Sequence, residues 1–274
     1  MPYVEGADGI ELYIKEWGDG PPVVLIHGWP LNADSWDDQA LALADAGYSV
    51  IAYDRRGFGR SEQPWDGYDY DTLADDLAAV IEATEAESPA LVGFSMGGGE
   101  VARFLTRHPG VARAAVLISS VVPYLLKDDS NPDGVPQAMF DEIVAGLKKD
   151  RPGFLPTFMK QFYGMGLIAS PVSSEVVDWS VGLALQAGLK GTLDCVEAFG
   201  TTDFRPDIAS FIVPTLIIHG DADKNVPIDI SSRVAARLIP GSTFIEYDGA
   251  PHGVLATHKD RVSADLIKFL ATVG

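Results

Sequence analysis

A mostly parallel, doubly wound α/β sheet with a helical insertion is the architecture this sequence predicts, and three observations point to it. Short β-rich runs alternate with longer helical stretches at the spacing of βαβ units. Several of those runs are apolar at every position, as strands buried on both faces require. The alternation stops between Val121 and Asp207 and then resumes.

In chain order the strand runs are Glu11 to Trp17, Val23 to Ile26, Ser49 to Tyr53, Ala90 to Val92, Ala114 to Ile118, Thr215 to Ile218 and Thr243 to Tyr247. Helices are expected near Trp36 to Ala46, Tyr70 to Ala86, Met96 to Arg107, Ile228 to Leu238 and His258 to Ala271. Prolines and glycines cut the stretch from Val121 to Asp207 into short helices rich in aromatic residues. The expected organisation is a core of residues 1–120 and 208–274 with a helical cap, 121–207, inserted between two strands. Most of the cap's aromatics glue it to the core, and a cap over the strand ends makes the space beneath it apolar.

Composition fits one such body. The chain has 274 residues, 47% of them hydrophobic, enough for a large core. Its net charge of −19, from 20 basic and 39 acidic side chains, repels phosphate backbones and anionic membrane surfaces. Nucleic acid and membrane are therefore excluded as expected partners; the acidity serves solubility, with a salt-adapted host as the alternative. The single Cys195 has no disulfide partner and sits among apolar neighbours, as a small buried hydrophobe in a reducing compartment would. The N-terminal residues lack the basic and apolar regions of a secretion signal, so a cytoplasmic location is expected.

Gly93-Phe94-Ser95-Met96-Gly97 carries the chemistry. An apolar run leads into it and a helical run leads out, so this G-x-S-x-G stands in a strand-turn-helix setting that thrusts the serine hydroxyl away from the backbone. A glycine-rich helix start looks the same, so the partners decide. A serine hydroxyl needs a base and a carboxylate to orient that base. Of the five histidines, His252 lies in Gly249-Ala-Pro-His-Gly253, immediately after the last strand, at the sheet edge where Ser95 must also lie. His27, His108, His219 and His258 read as turn, helix-end, strand-end and helix-start residues. Asp223, in His219-Gly-Asp-Ala-Asp223, is the first choice for the acid, with Asp221 as the alternative and the other aspartate serving the turn. The backbone N–H groups of Met96 and of Trp29, in His27-Gly-Trp-Pro30, are the candidate oxyanion donors.

With these loops assigned, the chain resembles the cofactor-free (non-haem) haloperoxidase, perhydrolase and arylesterase members of the α/β hydrolases. The likeness rests on His27-Gly-Trp-Pro, Tyr53-Asp-Arg-Arg-Gly-Phe-Gly-Arg-Ser61, Gly93-Phe-Ser-Met-Gly97, His219-Gly-Asp-Ala-Asp223 and Gly249-Ala-Pro-His-Gly253. Pro123 to Gly134 is similar to the γ-lactamase members. The resemblance implies an eight-stranded sheet, a Ser95, His252 and Asp223 triad, and Trp29 and Met96 amides in the oxyanion hole. It implies a substrate pocket formed by Trp29 and Pro30, by Phe94, by Tyr124, Phe158 and Phe162 of the cap, and by Val226. The expected substrates are a small ester, carboxylic acid or lactam, with water or hydrogen peroxide as acyl acceptor. No cofactor and no metal are expected, and a homo-oligomer stays open.

An aspartate nucleophile, as in the dehalogenases and epoxide hydrolases of this fold, is absent, since Ser95 occupies that position. Acyl transfer is the expected chemistry, with lactam or amide hydrolysis as an alternative and a noncatalytic receptor as the reading from outside enzymes. The loop from Asp54 to Ser61 reads as a salt-bridged turn, and Gly97-Gly98-Gly99 as a site of close packing or of room near the acyl group.

Overall fold

The computed structural model describes residues 2–166 and 170–273; positions 1, 167–169 and 274 of the expected core and cap ranges lie outside the described residues. Eight strands form one sheet: β1 (Tyr3–Glu5), β2 (Glu11–Trp17), β3 (Pro22–Ile26), β4 (Ser49–Tyr53), β5 (Ala90–Phe94), β6 (Ala114–Ile118), β7 (Thr215–Gly220) and β8 (Thr243–Tyr247). Their spatial order is β1-β2-β4-β3-β5-β6-β7-β8. The pairs β1/β2 and β2/β4 are antiparallel and every later pair is parallel. β5 and β6 are buried at every position, which is why they read as unbroken apolar runs.

The helices are α1 (Asp37–Asp45), α2 (Tyr70–Ala83), α3 (Met96–Arg107), α4 (Gln137–Phe162), α5 (Ser174–Gln186), α6 (Leu189–Thr201), α7 (Ser232–Leu238), α8 (Val254–Thr257) and α9 (Lys259–Leu270). α2 packs on α3 and α1 on α9. α2 starts at an Asp69 cap, whose side chain accepts the Thr72 N–H, and ends at Ala83, short of the expected Ala86. α7 starts at Ser232, later than the expected Ile228, because Pro227 to Ser231 form turns first.

Between β6 and β7 run α4, α5 and α6, with no strand among the described residues. The expected short helices are here partly replaced by one 26-residue element, α4, bent at Asp150 (φ −163°, ψ 84°) just before Pro152. Proline disfavours helical backbone in the preceding residues and lacks the N–H to bond back, so the bend falls there. Among the described residues no helix is long and apolar enough to cross a membrane.

The sheet order reverses between β3 and β5: the chain runs from β3 outward to β4, then returns to the other side of β3. Loops leaving the carboxyl ends of neighbouring strands at such a point diverge and leave a crevice. The turn after β3 and the turn after β5 therefore flank one opening. Close packing holds them there, because a Cβ on Gly93 would strike the Gly97 and Gly98 backbone and one on Gly97 would strike the Ile26 carbonyl. Close packing explains the glycine run: Gly97 lies against the end of β3, Gly98 against Ser120, and Gly99 against the Tyr70 and Phe204 rings.

Candidate active site

Ser95 is the hinge between β5 and α3. Its backbone has φ 54° and ψ −116°, a conformation that side chains with a Cβ rarely adopt. The Ser95 N–H donates to the Ile118 carbonyl (2.8 Å) and its own carbonyl accepts the Gly98 N–H (3.0 Å), so the bend is held on both sides.

His252 reaches Ser95 from the loop after β8. The Gly253 N–H donates to the Phe162 carbonyl (2.8 Å), which ties that loop to the end of α4. Phe94 and Phe162 flank the imidazole, with ring centroids 5.2 Å and 4.8 Å away. The imidazole Nδ1–H donates to Asp223 Oδ2 (2.6 Å), and the Ser95 hydroxyl donates to Nε2 (3.0 Å). All three side chains are buried. Burial alone would push the Asp223 carboxyl up, but the His252 charge and the donors His219 and His252 outweigh it and hold the group well below the usual carboxylate range. Asp221, the alternative choice for the acid, instead accepts the Gly249 N–H (2.6 Å) and serves the turn.

The two expected oxyanion donors lie beside this chain. Met96 is the first residue of α3, so its N–H has no intrahelical acceptor, and the helix dipole favours negative charge there. Trp29 follows Gly28, whose missing Cβ leaves room for Phe94 and the Ser95 Cβ. A buried network sets the height of this turn. Arg55 donates through Nη2 to the His27 carbonyl (2.6 Å), through its backbone N–H to His27 Nε2 (3.0 Å), and through Nε to Glu100 Oε1 (2.5 Å). Burial and the nearby Arg55 charge push the His27 imidazole well below its ordinary range, so it is neutral and accepts that N–H.

Ser95, His252 and Trp29 open into a cavity of about 550 Å³ whose walls are mainly apolar. The size is that of a small-molecule pocket. Of the seven residues expected to line it, Trp29, Phe158 and Val226 do so. The other four correct the expectation. Tyr124 is held by its hydroxyl on Asp128 (2.8 Å) with Arg205 over its ring, away from the cavity. Phe94 and Phe162 are spent on His252, and Pro30 is turned out of the lining by the Gly28 to Leu31 turn. Phe140, Ile143, Phe154 and Phe199, on α4 and α6, supply the wall instead. Nothing in a list of aromatics distinguishes wall from glue; only the bend in α4 and its angle to α6 do. His219, read from the sequence as a strand-end residue, contacts Asp223 Oδ2 (3.0 Å).

The loop from Asp54 to Ser61 is the salt-bridged turn expected of it: Arg56 pairs with Asp76 and Asp8, and Arg60 with Asp54 and Asp34. Cys195 is fully buried, and burial pushes its thiol up to about 12, which keeps it protonated and inert.

A model of the α/β hydrolase fold matches residues 21–259. The chain belongs to the α/β hydrolase family. This α/β hydrolase is 43% identical to a non-heme chloroperoxidase of Kitasatospora aureofaciens, over 98% of its own length and 99% of the relative's. It is 42% identical to a bifunctional esterase/perhydrolase of Acinetobacter calcoaceticus over the same shares of the two chains. Among solved structures, a bromoperoxidase from Bacillus anthracis matches with 45% identity and a TM-score of 0.93, covering 96% of each chain. The chain is an enzyme of the α/β hydrolase family.

Proposed function

We propose that the protein is a serine hydrolase that takes an acyl group from carboxylic esters onto Ser95 and passes it to water or to hydrogen peroxide. The observation that carries this reading is the continuous contact from Asp223 through His252 to the Ser95 hydroxyl, opening on an apolar cavity. The esterase/perhydrolase and chloroperoxidase relatives support it.

His252 Nε2 takes the Ser95 proton as Oγ attacks the ester carbonyl carbon, and the negative carbonyl oxygen meets the Trp29 and Met96 N–H groups. The C–O bond to the alcohol breaks, His252 returns the proton to the leaving alkoxide oxygen, and an acyl-enzyme remains. Water, deprotonated by His252, releases a carboxylic acid; hydrogen peroxide in its place releases a peracid. A free peracid oxidises halide in solution, so halogenation needs no redox group in the protein. Residues 121–207 act in this reading as a cap, with α4 and α6 closing the cavity over the strand ends. A pocket of this volume admits an aryl or branched acyl group as well as acetate.

The test is a panel of aryl and alkyl esters, a bicyclic γ-lactam, and peroxide-dependent bromination with and without a carboxylic acid. Wild type is expected to hydrolyse esters, and Ser95→Ala to lose roughly three orders of magnitude or more in kcat with its thermal midpoint retained. Unchanged turnover in Ser95→Ala overturns the nucleophile, and bromination without any carboxylic acid overturns the peracid route.

A further inference from the structure

His219 ends β7 and is fully buried, and its ring joins the acid loop to α7. Nε2 lies 3.0 Å from Asp223 Oδ2 and 3.0 Å from the Val226 carbonyl, two acceptors. Nε2 therefore carries the proton, because a bare nitrogen there would face two oxygen lone pairs in a dry interior. On the other side Nδ1 lies 2.6 Å from the hydroxyl of Ser232, the first residue of α7, which donates to it. Asp223 and the Val226 carbonyl thus select the Nε2–H tautomer, and Ser232 satisfies the other nitrogen.

Asp223 is then fully subscribed. Its Oδ1 accepts the N–H groups of Asn225 (2.8 Å) and Val226 (2.9 Å), and its Oδ2 accepts both imidazoles, His252 at 2.6 Å and His219 at 3.0 Å. Four donors match the lone-pair capacity of a carboxylate. A histidine that only filled space at a strand end would have no reason to direct its proton at the oxygen that orients His252.

We propose that His219, with Ser232 behind it, is a positioning residue: it fixes the plane of Asp223 and shares Oδ2 with His252, limiting how strongly the carboxylate holds the His252 proton. The proposal rests on the acyl-transfer reading. Of the other charged groups nearby, Asp221 holds the Gly249 N–H and Glu246, opposite His219 across β7 and β8, pairs with Arg233; Lys224 is exposed at the cavity that His252 also lines, and it is the same in every variant below.

His219→Leu removes one donor from Oδ2. The freed carboxylate then stabilises the protonated His252 more strongly, so the acid limb of the kcat/KM profile is expected to move up by about half a pH unit to one unit. Freedom of Asp223 to turn is expected to lower kcat about tenfold, with KM little changed, as for other residues that orient a reacting group through a second one. His219→Gln, whose amide N–H can reach the place of Nε2–H, should restore the limb and bring kcat within about threefold of wild type. Ser232→Ala should shift the limb in the same direction by less.

An independent readout needs no substrate: the 15N shifts of the His219 ring are expected to report the Nε2–H tautomer in wild type and in Ser232→Ala alike. An unmoved pH profile in His219→Leu, a His219→Gln variant that behaves like His219→Leu, or an Nδ1–H tautomer in wild type overturns the proposal. If wild type turns over no ester, the acyl-transfer reading fails, whereas the tautomer still reports on the His219 contact. If His219→Leu does not fold, Ser232→Ala and His219→Gln carry the test.

Discussion

Arg55 and Glu100 are fully buried and paired, with the Tyr53 hydroxyl donating to Glu100 (2.7 Å) beneath the His27 turn. Removing one partner leaves the other's charge unpaired in the interior, which costs about 3–5 kcal/mol. Glu100→Gln is therefore expected to lower stability by roughly that amount in urea titrations, and Arg55→Met to do the same. Arg55→Met should also depress kcat, because the His27 carbonyl loses its anchor next to the proposed oxyanion turn. Asp223→Asn keeps the shape of the acid but offers a donor where His252 needs an acceptor, and a loss of about 10⁴ in kcat is expected. At this scale the sequence was legible where a residue type is chemically specific and stands in a Gly or Pro turn, as Ser95, Asp223 and His252 do. His219 was not legible, since only the fold brings its Nε2 onto Asp223. Tyr124 and Phe154 look alike in sequence; a hydroxyl bond to Asp128 withdraws the first and the α4 bend delivers the second.

Strands buried on both faces were legible nearly to the residue, β4 and β6 matching their apolar runs and β5 and β7 extending two positions beyond them, while β8, buried only at Tyr247, was legible from its aromatic and β-branched residues. β1 was not, because three half-exposed residues carry no alternation to detect; it exists through its pairing with β2. The insertion was legible as helical, but its internal geometry was not, since Pro152 marks where α4 bends and not how its two halves then lie against α5 and α6. That half carries Phe154 and Phe158, stacked with centroids 5.9 Å apart on the cavity wall. Phe154→Ala removes buried apolar contact from an aryl substrate without touching the Ser95 turn. KM for a bulky aryl ester is expected to rise about tenfold, the loss of roughly 1.5 kcal/mol of contact, with kcat for an acetate ester within about twofold. Equal losses on both substrates would show that the α4 bend supports the reacting groups themselves.

Charge is a property of the whole molecule. With a net charge of −19 the folded surface repels itself, and that repulsion is screened by salt. Adding about 0.5 M NaCl is expected to raise the thermal midpoint by about 2–4 °C, equivalent to roughly 1 kcal/mol. A fall would show that the surface ion pairs outweigh the net field. Acid acts on particular carboxylates. Asp8, Asp34, Asp75 and Asp203 are lowered by their Lys, Arg or His partners and Asp69 by its helix-cap bonds, against burial, while Asp223 is lowered by its histidines. A depressed folded-state value gives stability that is present above the unfolded value, about 3.9, and is lost as pH falls through the folded one. Burial raises Asp76 and Glu100, which act in the opposite sense. The urea midpoint is accordingly expected to be nearly flat from these groups between about pH 5 and 7 and to drop steeply below about pH 4.

The Trp29 indole Nε1–H donates to the Thr192 carbonyl in α6 (2.9 Å), and its ring packs on Phe158 and Phe199. One residue thus carries the proposed oxyanion N–H on its backbone and ties its side chain to the insertion. Under the proposed mechanism specificity is not modular in this scaffold: replacing α4 and α6 also shifts the peptide group placed to meet the developing charge.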